Sequence, residues 1–174
     1  MSKLPIAGSK AVPFTLKDAN GIAHGFGEAQ SPSPATLIFF FKHDCATCDL
    51  TAPIIENIHQ ALPKNSLNVL GVSQDDAELT NTFSRRHGLT FPRAIDAELL
   101  VSDTYGFDAV PSLVLTDSNN TVLASIEGFS KHELLNMIKL AAEQCNCTVP
   151  TVESPDAPLP EMRPGCGSRV HDPE

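Results

Sequence analysis

The sequence predicts an α/β protein in which a mixed central β-sheet is flanked by helices and preceded by an N-terminal β-hairpin. The first observation is the order of the predicted elements, which runs hairpin, βα, βα, short helix, ββ, α. Alternating βα units followed by a hairpin and a helix are typical of a mixed sheet with helices on both faces. The second is an apolar run at residues 36–41 that ends abruptly in polar residues, as a buried central strand does.

The first half of the chain supplies the hairpin and two βα units. The predicted elements are strands at residues 12–17 and 22–26, a strand at 36–41, a helix from Cys45 to about Leu62, a strand at 67–72 and a helix that opens at Asp75–Asp76. Apolar residues alternate with other residues through the first strand, which indicates a half-buried strand. Glu78 follows Asp75 by three residues, so Asp75 is predicted to cap its helix in a capping box.

The second half predicts an extended piece at residues 91–95, a brief helix at 97–105, a hairpin of strands at 112–116 and 121–126, and a helix from Lys131 to about Gln144. The start of the last helix has the clearest signal. Ser130 and Glu133 form a capping box, and Phe129 with Leu134 forms a hydrophobic staple across it.

The chain is predicted to contain one domain, residues 1–147, followed by a tail. A length of 174 residues suits one domain with a full core. Residues 148–174 hold six of the fourteen prolines and few large apolar residues. We therefore expect them to form an extended tail, outside the core, that carries Cys166.

Composition excludes several classes of partner. A net charge of −9 without a basic run disfavours binding to nucleic acid or to an anionic membrane surface. The longest apolar runs are about five residues, too short to span a bilayer, and the first residues lack a signal-peptide pattern. The sequence therefore predicts a cytoplasmic protein, and five unevenly spaced cysteines in that compartment indicate redox chemistry or metal binding.

Cys45 and Cys48 have the C-x-x-C spacing directly after the apolar strand. A cysteine at the start of a helix lies near backbone N–H groups and the positive end of the helix dipole, which favour the thiolate. A second cysteine three residues on can close a disulfide. The motif therefore predicts a redox pair, with a structural zinc half-site as the alternative reading.

Three further stretches support a family resemblance. They are Val110-Pro111 at the opening of the second hairpin, the lead-in at residues 11–18, and residues 71–76. Together with the C-x-x-C motif, their order and spacing resemble the thioredoxin fold. Within that fold they resemble the redoxin branch, which groups the alkyl hydroperoxide reductase/thiol-specific antioxidant proteins with thioredoxin-like disulfide reductases. The resemblance covers roughly residues 5–142.

The resemblance implies roles for four residues. Cys45 would be the attacking thiolate and Cys48 the resolving thiol. Pro111 would be a cis-proline facing them, and the Val110 backbone would pair with an incoming peptide. The implied activity is thiol–disulfide exchange with a protein or small thiol substrate, driven by an external dithiol such as a thioredoxin or glutathione system, and no cofactor is expected.

The residues before Cys45 depart from the patterns of both relatives. Asp44 stands where thioredoxins have tryptophan, and Phe39 stands near the position of their buried acid. Peroxiredoxins place proline and threonine or serine before the cysteine and bring an arginine to its sulfur, so hydroperoxide reduction is kept as an alternative function. We expect Asp44 to oppose the thiolate, and Lys42 and His43 to favour it. His43 is either a proton shuttle or a solvated loop residue.

The other three cysteines leave a metal-binding or redox-sensing module open. Cys145 and Cys147 could supply two zinc ligands, but a helix of fourteen residues at about 1.5 Å per residue puts Cys145 about 20 Å from the motif. Cys166 lies between glycines, close to Arg163 and Arg169, which are expected to favour its thiolate. It is predicted either to return to Cys45, to pair with Cys145 or Cys147, or to be an exposed thiol without a role.

Overall fold

A computed structural model describes residues 4–29 and 31–171, and its elements follow the predicted order. The strands are β1 (Phe14–Lys17), β2 (Ala23–Phe26), β3 (Ala35–Phe41), β4 (Leu67–Ser73), β5 (Arg93–Ile95), β6 (Ala109–Val110), β7 (Ser112–Asp117), β8 (Val122–Glu127), β9 (Phe129–Ser130), β10 (Met162–Arg163) and β11 (Cys166–Gly167). The helices are α1 (Ala46–Ala61), α2 (Ala77–His87), α3 (Leu100–Tyr105) and α4 (Lys131–Cys145). Within the described ranges, none of these helices has the length and apolarity needed to cross a bilayer.

The central sheet has five strands in the order β5-β4-β3-β7-β8. Strand β3 runs parallel to β4 and antiparallel to β7, so the sheet is mixed. β1 and β2 form a separate antiparallel hairpin. The predicted α/β class, with a mixed central sheet and an N-terminal hairpin, is confirmed.

Strand β3 lies at the centre of the sheet and is buried on both faces. Phe41 stacks on Phe83 of α2, with ring centroids 4.7 Å apart. Phe40, which points to the opposite face, packs against Tyr105 of α3 at 5.1 Å. Every residue of β3 is buried, which explains why its sequence is a continuous apolar run and not an alternating one.

Two helix starts test the predicted caps. The Ser130 hydroxyl accepts a hydrogen bond from the Glu133 N–H at 3.3 Å, so the predicted start of α4 is confirmed. The cap of α2 is Asp76, which accepts from the Leu79 N–H at 2.9 Å. The assignment of this cap to Asp75 is wrong, because only one of two adjacent residues can occupy the N-cap position. The Asp75 side chain is buried and bonds elsewhere.

The C-terminal segment differs from the expected free tail in its last part. Residues 161–171, which we call the strap, return to the domain. Strand β10 pairs with β9, and β11 pairs with β6, both antiparallel. Ser168 is fully buried, so the strap enters the core at this residue instead of staying outside it. These contacts join residues more than thirty positions apart, and no local sequence pattern encodes them.

Candidate active site

Cys45 is held at the junction between β3 and α1. It is the N-cap residue of α1, and its sulfur accepts a hydrogen bond from the Cys48 N–H at 3.1 Å. The Cys45 and Cys48 side chains are both buried, with exposed fractions of 1% and 0%. The strand end and the helix start therefore bring the two sulfur-bearing residues together in the arrangement that the C-x-x-C spacing predicts.

The two thiols have different acidities. Hydrogen bonds from the Cys48 thiol, and then from the Cys166 thiol and the N–H groups of both residues, lower the pKa of Cys45 from 9.0 to about 6, against the opposing effect of burial. Burial, together with the neighbouring Cys45 sulfur, raises the pKa of Cys48 well above its ordinary value. At neutral pH one sulfur is thus a thiolate and the other keeps its proton.

The loop before β7 lies against Cys45. The Val110–Pro111 peptide bond is cis, and both residues are buried. The Cys45 thiol approaches the Val110 carbonyl oxygen at 3.5 Å. The structure therefore brings together the four residues that the family resemblance assigns to catalysis and substrate positioning.

The strap covers this site. Cys166 is the antiparallel partner of Val110, the residue whose backbone was expected to pair with an incoming peptide. The Thr47 hydroxyl, inside the C-x-x-C motif, donates to the Pro164 carbonyl at 2.6 Å. The Lys42 ammonium donates to the Gly167 carbonyl at 2.7 Å. The protein's own chain thus occupies the predicted peptide position.

A charged cluster anchors the end of the strap. The Arg169 guanidinium lies 2.6 Å from a carboxylate oxygen of Asp44 and 2.8 Å from one of Asp75. The Asp75 carboxylate also accepts a hydrogen bond from the backbone N–H of His43 at 2.6 Å. The same carboxylate lies 3.3 Å from the Nδ1 atom of the His43 ring. The side chains that precede Cys45 therefore bind the strap.

This cluster corrects the expected electrostatics of the motif. Asp44 was expected to oppose the Cys45 thiolate, but its charge is paired with Arg169. The largest effects on the pKa of Cys45 come from the hydrogen bonds of Cys48 and Cys166, together with burial. The proton-shuttle role of His43 stays a prediction.

Cys166, which was predicted as an accessory residue, lies at the site. It is partly exposed and is the strand partner of Val110, whose carbonyl oxygen lies 3.5 Å from the Cys45 sulfur, so it has returned to the motif, one of the three predicted arrangements. Burial and the Cys45 sulfur raise the pKa of Cys166, so the prediction that its arginines favour the thiolate is wrong. The reason is that Arg169 is turned toward Asp44 and Asp75.

Cys145 lies at the other end of the sheet. Its thiol contacts the Ser66 side chain, just before β4 begins, whereas Cys45 is beside the end where β4 finishes. A seven-residue strand at about 3.3 Å per residue separates these ends by roughly 20 Å. Within residues 4–29 and 31–171, no three or more His, Cys, Asp and Glu side chains are grouped so that they could hold a metal ion.

Three residues were not predicted from the sequence to belong to the site: Gln74, Asp75 and Ser168. Gln74 donates to the buried Ser168 hydroxyl at 2.8 Å and accepts from the Arg169 N–H at 3.0 Å, and Asp75 holds the Arg169 side chain. One signal was present in the sequence. Two adjacent aspartates stand where a single cap is needed, which leaves one carboxylate for another purpose.

Fold and site together define the class: a thioredoxin-like protein with a buried C-x-x-C thiol pair beside a cis-proline. The chain belongs to the AhpC/TSA family, whose model matches residues 7–125. This confirms the resemblance to the redoxin branch.

Individual relatives are more distant. The thiol-disulfide oxidoreductase ResA of Halalkalibacterium halodurans is 28% identical over 118 residues, which are 67% of this chain and 66% of the relative, so the match spans just under two thirds of that protein. The crystal structure of a hypothetical protein from Sinorhizobium meliloti has a TM-score of 0.72 at 19% identity and covers 95% of both chains. A secreted Mycobacterium tuberculosis disulfide oxidoreductase has a TM-score of 0.62 at 17% identity, covering 73% of this chain and 95% of that one. The two structures show the shared fold.

Proposed function

We propose that this protein is a thiol–disulfide oxidoreductase that uses Cys45 and Cys48 as its redox pair. The observation that carries the proposal is the placement of Cys45 at the N-cap of α1, where its sulfur accepts a hydrogen bond from the Cys48 N–H at 3.1 Å. The neighbouring Cys48 thiol lowers the pKa of Cys45 to about 6, and burial raises the pKa of Cys48. A thiolate beside a protonated thiol provides a nucleophile and a resolving group. The names of the ResA relatives support the same activity.

The cycle begins when the Cys45 thiolate attacks one sulfur of a substrate disulfide. A Cys45–substrate disulfide forms, and the other substrate sulfur leaves as a thiolate that takes up a proton. Cys48 then loses its proton and attacks the Cys45 sulfur, which releases the second substrate thiol. The protein is left with a Cys45–Cys48 disulfide, and two electrons have passed to the substrate.

An external dithiol returns the pair to its reduced form by the same exchange in reverse. We propose a thioredoxin or glutathione system as this reductant and the cytoplasm as the location, because the cytosol maintains such dithiols at reducing potential. Val110 and Pro111 are proposed to position the substrate sulfur, which the contact of the Val110 carbonyl oxygen with the Cys45 sulfur supports.

Insulin reduction by dithiothreitol tests the proposal. Cys45→Ser removes the nucleophile and is expected to lower the catalysed rate at least about 100-fold. Cys48→Ser keeps the nucleophile and removes the resolving thiol, so Cys45 is expected to accumulate in a disulfide with another sulfur, visible by non-reducing mass spectrometry. Cys145→Ser is the matched control and should retain activity, since Cys145 lies at the far end of the sheet. Full activity in Cys45→Ser would rule out the assignment.

Hydroperoxide reduction is the second candidate, and the AhpC/TSA family match is what supports it. The Cys45 thiolate would attack the peroxide, become a sulfenic acid and release water or an alcohol, and Cys48 would then form the disulfide and release water. Of the two arginines of the strap, Arg169 is paired with Asp44 and Asp75. Peroxide consumption in a coupled thiol assay, compared with insulin reduction by the same preparation, separates the two functions.

A further inference from the structure

Three cysteines meet at the site, and they differ in exposure. Cys45 and Cys48 are 1% and 0% exposed, whereas Cys166 is partly exposed. With the strap in place, Cys166 is therefore more accessible to a dissolved disulfide than Cys45 is. An attack by Cys45 on an external substrate requires the strap to leave.

Cys166 also lies beside Cys45. It is the antiparallel strand partner of Val110, and the carbonyl oxygen of Val110 lies 3.5 Å from the Cys45 sulfur. Cys166 is also one of the neighbours that lower the pKa of Cys45. Because the two thiols are neighbours, a proton can pass from Cys166 to Cys45, which moves the negative charge from Cys45 to Cys166.

The strap packs closely against the domain, as an integral part of the site would. A Cβ atom added to Gly165 would lie 2.7 Å from the Val110 carbonyl oxygen and 2.9 Å from the Ala109 Cβ. Only glycine allows this approach of the two backbones. A Cβ added to Gly167, on the other side of Cys166, would meet nothing within 4 Å.

We propose that Cys166 is a third redox-active cysteine that exchanges disulfides with the external substrate and passes them inward to Cys45 and Cys48. The proposal rests on the proposed thiol–disulfide oxidoreductase function and adds the entry point for the substrate disulfide. The strap is then a working part of the catalytic cycle, and the substrate does not need to reach the buried pair.

The relay is a series of thiol–disulfide exchanges. Cys166, as the thiolate, attacks an external disulfide and forms a mixed disulfide, and the external thiolate that leaves takes up the proton that Cys45 had received from Cys166. Cys45, again a thiolate, attacks the Cys166 sulfur, forms a Cys45–Cys166 disulfide and releases the second external thiolate. Cys48 gives its proton to this second thiolate and attacks the Cys45 sulfur, and Cys166 leaves as a thiolate. In sum, one external disulfide is reduced to two thiols, and Cys45 and Cys48 are oxidised to their disulfide.

A single-turnover reaction with oxidised glutathione tests the relay. Reduced protein is mixed with the reagent, quenched with acid, alkylated, and analysed by mass spectrometry for the Cys45–Cys48 disulfide. Cys166→Ser is expected to slow its formation at least about tenfold, because the strap still covers Cys45 but has no thiol. An unchanged rate in Cys166→Ser would overturn the proposal and leave the strap as a cover.

A rescue variant separates loss of the relay from misfolding. Adding Gly165→Ala to Cys166→Ser should displace the strap, expose Cys45 to glutathione and restore the rate to within about threefold of wild type. Gly167→Ala in the same background is the matched control and should restore nothing, since its Cβ meets no neighbour. A loss in Cys166→Ser that Gly165→Ala does not restore counts against the relay.

Trapping gives a third readout. In Cys48→Ser the relay stops after its second step, so a Cys45–Cys166 disulfide should accumulate and be seen by peptide mapping. Finding only glutathione on Cys45 would contradict the proposal. The two proposals fail differently: inactivity of Cys45→Ser with full activity of Cys166→Ser removes the relay alone, whereas full activity of Cys45→Ser removes the proposed function.

Discussion

The Cys45 thiol is expected to titrate at about pH 6 in the folded protein, far below the ordinary value of 9.0. The variable to change is the pH of the solution. At pH 7 a thiol with a pKa of about 6 is roughly 90% thiolate, whereas one with a pKa of 9.0 is roughly 1% thiolate. The structure therefore gives Cys45 about a 90-fold larger thiolate fraction at neutral pH than an unperturbed cysteine has.

Thiolate absorbance at 240 nm measures this titration without a reagent that must pass the strap. The difference between wild type and Cys45→Ser isolates the Cys45 signal from the other cysteines. Replacing Cys166 with alanine should move the midpoint upward, because the Cys166 thiol is one of the donors that lower the pKa of Cys45. A midpoint at pH 8 or above in the wild type would refute the hydrogen-bonding argument.

The same shift makes stability depend on pH. Because the pKa of Cys45 is lower in the folded chain than in the unfolded chain, the stabilisation is complete above the unfolded value of 9.0 and is lost as the pH falls through about 6. Relative to Cys45→Ser, the wild-type free energy of unfolding should rise by roughly 2 kcal/mol between pH 6 and pH 8. Urea unfolding followed by circular dichroism measures the difference, and a flat difference would contradict the assignment.

Three further substitutions test the fold and the strap. Phe40→Ala empties a fully buried site and should lower the free energy of unfolding by roughly 3–5 kcal/mol in urea melts, whereas the exposed Ile22→Ala should change it by less than about 0.5 kcal/mol. Ser130→Ala removes the cap of α4 and should cost about 1 kcal/mol in the same assay. Asp75→Asn weakens the hold on Arg169 and should speed trypsin cleavage after that residue, whereas Asp76→Asn, which keeps a capping side chain, should not; equal cleavage rates would contradict the anchoring role.

Local patterns were sufficient for most of the fold. The apolar run of β3 and the cap of α4 at Ser130 each depend on residues within about six positions of one another, and both elements form as predicted. The cap of α2 was misplaced by one residue because Asp75 and Asp76 both satisfy the local rule. The contact with Arg169, 94 positions away, involves Asp75 and not Asp76.

The candidate site, too, was only partly predictable from local sequence. The C-x-x-C spacing after a buried strand identifies Cys45 and Cys48, because the strand end and the helix start alone bring them together. The acidity of Cys45 depends also on Cys166, whose position is set by pairing between β6 and β11. A Pro-rich segment without periodicity offers no local signal for where it will dock.

Periodicity, spacing and family resemblance were enough to predict the class of fold, the C-x-x-C pair and the two residues beside it. Only the folded chain shows that the C-terminal segment returns as the strap, that Asp44 is paired with Arg169, and that the partly exposed Cys166 lies beside the buried Cys45. The physical reason is range. Hydrogen bonds of helices and turns join near neighbours, whereas the strap is held by strand pairing between residues more than thirty positions apart and by charge contacts such as Asp75–Arg169, 94 positions apart.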